Sequence, residues 1–197
     1  MATRFYLTNS PSTYNPALVR GAWDANGGIL FGKKLSLVKE GTQASNGASE
    51  AVGTNNWDVS LYEFVSEPLL ANATLSGTMD YVLGVLGNSA SINARTHIHV
   101  WVTQGPTSAA RGTLVANNVD TVNWPTSTPT SLAKTGIALT SVNALRGDRI
   151  VVEVGYRAVN TSTATLGPAT TYVSGTAGDL AASDNPVTTG KSPWVQF

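Results

Sequence analysis

Ala73–Val85, with the sequence ATLSGTMDYVLGV, carries the pattern that decides the fold. Its odd-numbered positions are mostly apolar, whereas Thr74, Ser76, Thr78 and Asp80 occupy even-numbered positions. Successive side chains of a β-strand point to opposite faces, so this alternation predicts a strand with one face in a hydrophobic core. The threonine and glycine content disfavours a helix over the same residues.

The same period of two recurs in two further long segments. Thr96–Thr103 places its isoleucine and valines on one face and two histidines and a tryptophan on the other, and in Arg149–Arg157 an apolar face opposes Arg149, Glu153 and Arg157. Shorter segments rich in β-branched and aromatic residues are also predicted to be strands: Lys34–Val38, Trp57–Val65, Thr113–Ala116, Ile137–Val142, Thr170–Ser174 and Trp194–Phe197.

About nine strands separated by glycine-rich turns predict an all-β fold without a helix of two turns or more. The long link Asn117–Leu132, with its prolines and threonines, favours Greek-key crossovers over simple hairpins. We therefore predict an antiparallel β-sandwich of jelly-roll type. Gly147–Ile150 is the clearest turn, in which Asp148 is expected to bind backbone N–H groups and Arg149 to pair with an acid on the next strand.

The first 30 residues differ from this pattern. Two prolines and an Asn-Gly-Gly turn interrupt an apolar but irregular stretch. We expect a single domain, residues 1–197, in which residues 1–30 cover an edge of the sandwich or form an arm that docks on a neighbour. The aromatic residues of this segment are the expected contact residues of an interface: Phe5, Tyr6, Tyr14 and Trp23.

Composition restricts the possible functions. Charged residues make up 12% of the chain, hydrophobic residues 42%, and the 12 basic and 12 acidic side chains cancel. Without a basic excess or a basic amphipathic helix, neither nucleic acid nor a membrane surface is an expected partner. The chain has no cysteine, which excludes disulfides and thiolate chemistry. Without an apolar signal-peptide core, synthesis and folding in a cytoplasm is the simplest expectation.

Two histidines, His97 and His99, share one strand face beside Trp101. This spacing could chelate a metal, but a third ligand is not evident, and the favoured interpretation is a polar lining of a solvent-facing or inter-sheet surface. Asp179, Asp184 and Asn185 could similarly offer oxygen ligands to calcium, although a solvated loop is favoured. We therefore expect neither a metal nor a cofactor.

The sequence contains only weak indications of a catalytic site. Serine, histidine and aspartate all occur, but the Gly-x-Ser-x-Gly turn is missing. A pair of acids could converge in a groove for glycoside hydrolysis, and the acids on predicted strands are Asp58, Glu63, Asp80 and Glu153. Acids spread over a surface make such a coincidence common, so the expectation is that the protein is not an enzyme and has no catalytic residues.

The five tryptophans offer a second kind of site. Trp101, beside the two histidines, and Trp124, in a loop rich in proline and threonine, are the better candidates for exposure. Exposed coplanar rings could stack on a glycan, as in a carbohydrate-binding module. The favoured alternative is that all five tryptophans serve in the core or at interfaces.

Several segments, in this order, resemble a family of tailed-bacteriophage structural proteins encoded among virion genes. They span most of the chain: Arg4–Leu7, Gly21–Trp23, Phe64–Leu69, Ser76–Thr78, Arg111–Leu114, Gly147–Ala158 and Pro193–Phe197. These segments are turn and core signatures of a β-sandwich, and the resemblance brings no catalytic residues with it.

The resemblance implies a structural role on the surface of a virion, after synthesis in the bacterial cytoplasm. Capsid decoration, or cementing of the head, is the preferred expectation, with the major capsid protein as partner and a homodimer or homotrimer as the form in solution. The alternatives are a protein of the tail or neck that binds tail proteins, and a carbohydrate-binding module that contacts the host surface.

Overall fold

Strands form most of the computed structural model, which describes residues 2–16, 19–25, 29–49, 56–159 and 167–197. The long alternating segments are strands, as predicted. The thirteen strands are β1 (Arg4–Pro11), β2 (Leu30–Ser36), β3 (Ala44–Ala48), β4 (Asn56–Ser66), β5 (Ala73–Leu86), β6 (Arg95–Thr103), β7 (Ala110–Asn123), β8 (Thr130–Ala144), β9 (Ile150–Val159), β10 (Ala169–Val173), β11 (Gly178–Asp179), β12 (Lys191–Ser192) and β13 (Trp194–Gln196).

The expectation of an all-β fold is confirmed. Within the described residues the helical structure is a single three-residue turn, Ala90–Ile92, and no helix is long and apolar enough to cross a membrane. The expectation of wholly antiparallel pairing is wrong in two places, because β2 lies parallel to β4 and β11 lies parallel to β12.

Eleven strands belong to one hydrogen-bonded sheet. Ten of them follow the order β3-β10-β5-β13-β1-β2-β4-β9-β6-β7, and β8 also pairs with β5. One apolar cluster joins Phe64, Ile98 and Val152 of the β4-β9-β6 half to Tyr81 and Leu83 of β5. The two halves of the sheet therefore face each other across a shared core, which gives the sandwich-like arrangement.

Three strands, β3, β7 and β8, each pair with one neighbouring strand and form the edges of the sheet, and β7 and β8 are longer than the sequence indicated. The segment Asn117–Leu132, interpreted as a long link, is mostly strand, and only residues 124–129 lie between β7 and β8. The ladders of both strands are broken by shifts in register, and Gly136 of β8 adopts a left-handed φ of 71°. Such bulges disfavour edge-to-edge pairing between molecules.

The N-terminal prediction needs a correction. Residues 4–11 form β1, which lies inside the sheet between β13 and β2, and Phe5 and Leu7 belong to the core. This part of the segment is neither irregular nor an arm. Residues 12–16 and 19–25 are irregular, as expected, but they cover a face of the sheet rather than an edge.

Deletion of residues 1–11 should therefore prevent folding. The loss of β1 would leave the facing edges of β2 and β13 unpaired and remove two buried side chains from the core. Deletion of residues 1 and 2, which precede the strand, is the matched control and should leave the protein folded. Far-ultraviolet circular dichroism and resistance to protease would distinguish the two variants, and a folded protein without residues 1–11 would contradict this placement of β1.

Candidate functional site

The outer face of β4, β9 and β6, which points away from the core, carries an unusual set of side chains. The register of the three strands arranges them in four cross-strand rows: Val65, Val151 and Trp101; Glu63, Glu153 and His99; Ser60, Gly155 and His97; Asp58, Arg157 and Arg95. We call Asp58, Glu63, His97, His99, Glu153 and Arg157 the outer polar cluster. All of its members except Arg157 are buried.

The carboxylate of Glu153 lies at the centre of this cluster. Its Oε1 atom accepts hydrogen bonds from the backbone N–H of Arg20 at 2.7 Å and from Nε1 of Trp101 at 2.8 Å. Its Oε2 atom accepts from the backbone N–H of Gly21 at 2.8 Å and from Nε1 of Trp23 at 2.7 Å. Only an ionised carboxylate has the lone pairs to accept all four donors, so these contacts stabilise a buried negative charge.

A second buried carboxylate, Asp58, is paired differently. It contacts Nδ1 of His97 at 2.9 Å, and Arg157 donates to both of its oxygens, at 2.9 and 2.6 Å. Burial by itself would raise the pKa of Asp58, but the hydrogen bonds from His97 and Arg157 outweigh this effect and lower the pKa. Asp58 and Arg157 therefore form a neutral ion pair beside the imidazole.

Glu63 lies next to Glu153 but has no comparable support. It is fully buried, and neither of its carboxyl oxygens has a hydrogen-bond partner of ordinary geometry. Burial raises the pKa of Glu63 to about 8, the negative charge of Glu153 adds to the rise, and the Gly32 backbone N–H opposes it. At neutral pH the Glu63 side chain is consequently a neutral carboxylic acid.

The two histidines share the outer face, as predicted, but neither faces solvent nor the space between the sheets. Nδ1 of His99 accepts the backbone N–H of Asn117 at 3.3 Å, and burial lowers the pKa of His99. Nε2 of each imidazole is buried without a partner. Within the described residues, no group of three or more acidic or histidine side chains is arranged to hold a metal ion.

Residues 20–25 cover the cluster by crossing the sheet. At one end the backbone N–H groups of Asp24 and Ala25 donate to the carbonyl of Asp58, at 2.9 and 3.0 Å. At the other end the N–H of Ala22 donates to Oδ1 of Asn117, on β7, at 2.8 Å. The segment therefore spans β4, β9, β6 and β7.

The indole of Trp23 is the main side chain of this cover. Its ring lies 4.2 Å from that of His97, centroid to centroid, above Gly155. A Cβ atom on Gly155 would come within 2.9 Å of the indole and within 2.0 Å of the Val59 carbonyl oxygen. A Cβ atom on Gly21 would lie 2.3 Å from Nε1 of Trp23. Both positions require glycine, because residues 20–25 approach the sheet and the Glu153 carboxylate so closely that there is no room for a Cβ atom.

Of the four acids proposed for a groove, the structure brings three together. Asp58, Glu63 and Glu153 share the outer face, but they lie beneath the cover and not in an open cleft, while Asp80 lies on β5 and accepts the N–H of Gly136. Sequence reasoning missed the role of Trp23 and the backbone of residues 20 and 21. The sequence feature that could have indicated this site is Glu153, a glutamate in the middle of the most hydrophobic strand.

Trp101 and Trp124, the two better candidates for exposure, are both buried. Trp101 is fully buried and donates to Glu153, while Trp124 is 3% exposed and donates to Oγ1 of Thr96. All five tryptophans are among the described residues, and each is buried or half-buried. In this conformation neither Trp101 nor Trp124 can stack on a sugar, because the protein already covers both rings.

The four N-terminal aromatics, expected at an interface, make contacts within the chain. Phe5 is in the core, Tyr14 packs on the Val65–Trp101–Val151 cluster, and Trp23 binds Glu153. Tyr6 donates to Asp179, an acid considered above as a calcium ligand, which also pairs with Arg4 and Lys39. The second such acid, Asp184, pairs instead with Lys191.

The most apolar depression among the cavities described is at the end of the sandwich where β2 and β4 finish. This end groove has a volume of about 370 Å³ and is lined by Phe5, Leu35, Leu37, Val38, Leu69 and Leu70, among others. Six large apolar side chains are exposed in the described part of the chain, and the three most exposed all line this groove: Leu37 at 65%, Val38 at 63% and Leu70 at 91%.

No family model matches this chain, and a search of curated proteins finds no matching relative.

Replacement of Glu153 by glutamine should destabilise the protein. The neutral amide cannot accept four hydrogen bonds and would place its own N–H₂ against two of the donors. We expect the free energy of unfolding to fall by about 3 kcal/mol, measured by urea denaturation at pH 7. Glu67→Gln, at a half-exposed carboxylate just after β4, is the matched control and should change it by less than about 0.5 kcal/mol. Equal effects of the two substitutions would refute this role of Glu153.

Proposed function

We propose that this protein is a non-enzymatic structural protein of a bacteriophage virion, preferentially a decoration or cement protein on the capsid surface. The observation that carries the proposal is the end groove, where Leu37, Val38 and Leu70 remain exposed around an apolar depression. Clustered exposed apolar side chains are typical of surfaces that bind other proteins.

The charges around the groove favour an uncharged, apolar contact. Lys34 pairs with Glu40 at 3.1 Å, and Glu67 lies 3.8 Å from Arg149. These charged groups are paired within the chain, so they do not call for a partner of opposite charge. The occupant that fits is an apolar side chain of the major capsid protein, with the three exposed side chains as the surrounding contact.

The rest of the structure is compatible with a rigid structural role. The outer polar cluster is covered by residues 20–25, so its carboxylates do not line an open substrate cleft. The bulged edges of β7 and β8 disfavour uncontrolled strand pairing, which suits a protein present at high local concentration. A homodimer or homotrimer remains the expected form, and light scattering should show a mass that does not change with concentration.

A cryo-electron reconstruction of the intact particle tests the proposal directly. Density for this chain at regular lattice positions on the head is the expected result. Density restricted to the neck, tube or tip would support the alternative, a tail- or neck-associated protein. Absence from the particle would overturn the structural proposal and leave a carbohydrate-binding module, without the two tryptophans proposed for it, to be tested by glycan binding.

Leu70→Glu should weaken attachment to the particle without unfolding the protein, because Leu70 is almost fully exposed. A charge placed in the apolar contact should reduce binding at least tenfold, as is typical of a central interface residue. Val122→Glu is the matched control, since Val122 is half-exposed and lies near the opposite end of the sheet. Co-sedimentation with particles lacking the protein measures the effect, and equal binding by both variants would exclude the end groove as the interface.

A further inference from the structure

A buried pair of carboxylates on adjacent strands indicates a second property of this protein, independent of docking. Glu63 and Glu153 are direct cross-strand neighbours, and both are fully buried. Glu153 uses its charge to bind the cover, whereas neither oxygen of Glu63 has a hydrogen-bond partner of ordinary geometry, and the Gly32 N–H only partly offsets the cost of burying a charge there. The two acids therefore differ in protonation although they occupy the same row.

No nearby cation in the described structure neutralises Glu63 if it loses its proton. Arg157 is bound to Asp58, Arg149 donates to the carbonyl of Ser66, and Lys33 donates to the carbonyl of Asn9. The guanidinium of Arg20 lies over the ring of Trp101, 4.8 Å from its centroid. Arg95, at the far end of this face, donates to Oδ1 of Asn123. The other titratable groups around this face are His97 and His99 on β6, Asp58 on β4, and Tyr14 and Asp24 of the covering residues.

An ionised Glu63 would be an unpaired buried charge beside a second negative charge. A buried charge in this situation is strongly unfavourable unless it is hydrated or paired. Residues 20, 21 and 23 bind the carboxylate of Glu153, the cross-strand neighbour of Glu63, and Ala22 of the same segment is exposed. Movement of residues 20–23 away from the sheet would therefore admit water to the row that holds both acids. The core on the opposite face of the sheet would remain intact.

We propose that residues 20–23 form a proton-gated strap, which is closed over the outer polar cluster while Glu63 is neutral and opens when Glu63 ionises. Four N–H groups hold the strap, three on Glu153 and one on Asn117, together with the Trp23 ring against His97 and the guanidinium of Arg20 on the Ser108 carbonyl and over the Trp101 ring. None of these contacts is a ladder bond between strands, so the strap can open without breaking the sheet. Opening would expose the carboxylates, both imidazoles and the indole of Trp101.

The sign of the pH dependence follows from linkage. The pKa of Glu63 is about 8 in the closed state and returns toward its ordinary value of 4.5 when water enters. Between these two values the open state has lost a proton that the closed state retains, so the opening equilibrium constant rises about tenfold per pH unit. Above about pH 8 both states are ionised and the constant levels off.

Amide hydrogen exchange of the full-length protein between pH 5 and 9, corrected for the intrinsic exchange rate, tests the proposal. The N–H groups of Arg20 and Gly21, which bind Glu153, report on opening of the strap, and those of Val152 and Val154 in β9 report on unfolding of the sheet. Protection of Arg20 and Gly21 should fall about tenfold per pH unit up to about pH 8, while Val152 and Val154 stay better protected.

Glu63→Gln should remove this pH dependence, because the side chain keeps its size but cannot ionise. Glu63→Leu, a second uncharged variant, should behave in the same way if the amide of the first disturbs folding. Glu40→Gln, at a carboxylate paired with Lys34 away from the strap, is the matched control and should follow the wild type. An unchanged pH profile in both Glu63 variants would overturn the proposal, as would exchange of Arg20 and Gly21 only together with Val152 and Val154.

Discussion

The four hydrogen bonds to the carboxylate of Glu153 are the interaction on which the outer side of the sheet depends. Three of them connect a strand in the middle of the sheet to a segment 130 to 133 positions earlier in the chain, and the fourth comes from Trp101 on β6. A buried carboxylate is tolerated only when its lone pairs are satisfied, and here the backbone of residues 20 and 21 and two indoles satisfy them. Without that anion, the backbone N–H groups of residues 20 and 21 and the indole N–H of Trp23 would lose their hydrogen-bond acceptor.

This arrangement explains why the central strands are buried on both faces. The inner faces of β4, β6 and β9 form the core with β5, and their outer faces lie beneath residues 12–16 and 19–25. The few charged side chains near this layer are largely paired with one another or with backbone groups, as Asp58 is with Arg157 and Asp148 is with Arg111 and the N–H groups of Gly105 and Leu145. The apolar side chains that remain exposed collect at the end groove, so the binding surface and the polar layer occupy separate parts of the molecule.

Much of the fold was predictable because period two is a local property of the chain. Ala73–Val85 and Arg149–Arg157 are strands as predicted, and the turn at Asp148 has the backbone contacts expected of it. β1 escaped prediction because its sequence, RFYLTNSP, combines a proline with a short apolar run, and its pairing with β2 and β13 stabilises it from a distance. β3, which contains Gly47, is also not among the predicted strands, and its ladder is supplied by β10, which is distant in the chain.

The sequence by itself determined which segments are strands and which side chains share a face, because alternation follows directly from strand geometry. It placed His97, His99 and Trp101 together and Glu153 on the face opposite Val152 and Val154. Only the tertiary structure decided what lies over that face, since the donors that bind Glu153 come from residues 20–23. The raised pKa of Glu63 likewise depends on tertiary structure, through its burial and the neighbouring charge of Glu153. The exposure and charge of a side chain depend on what packs against it, and alternation along a strand carries no information about that.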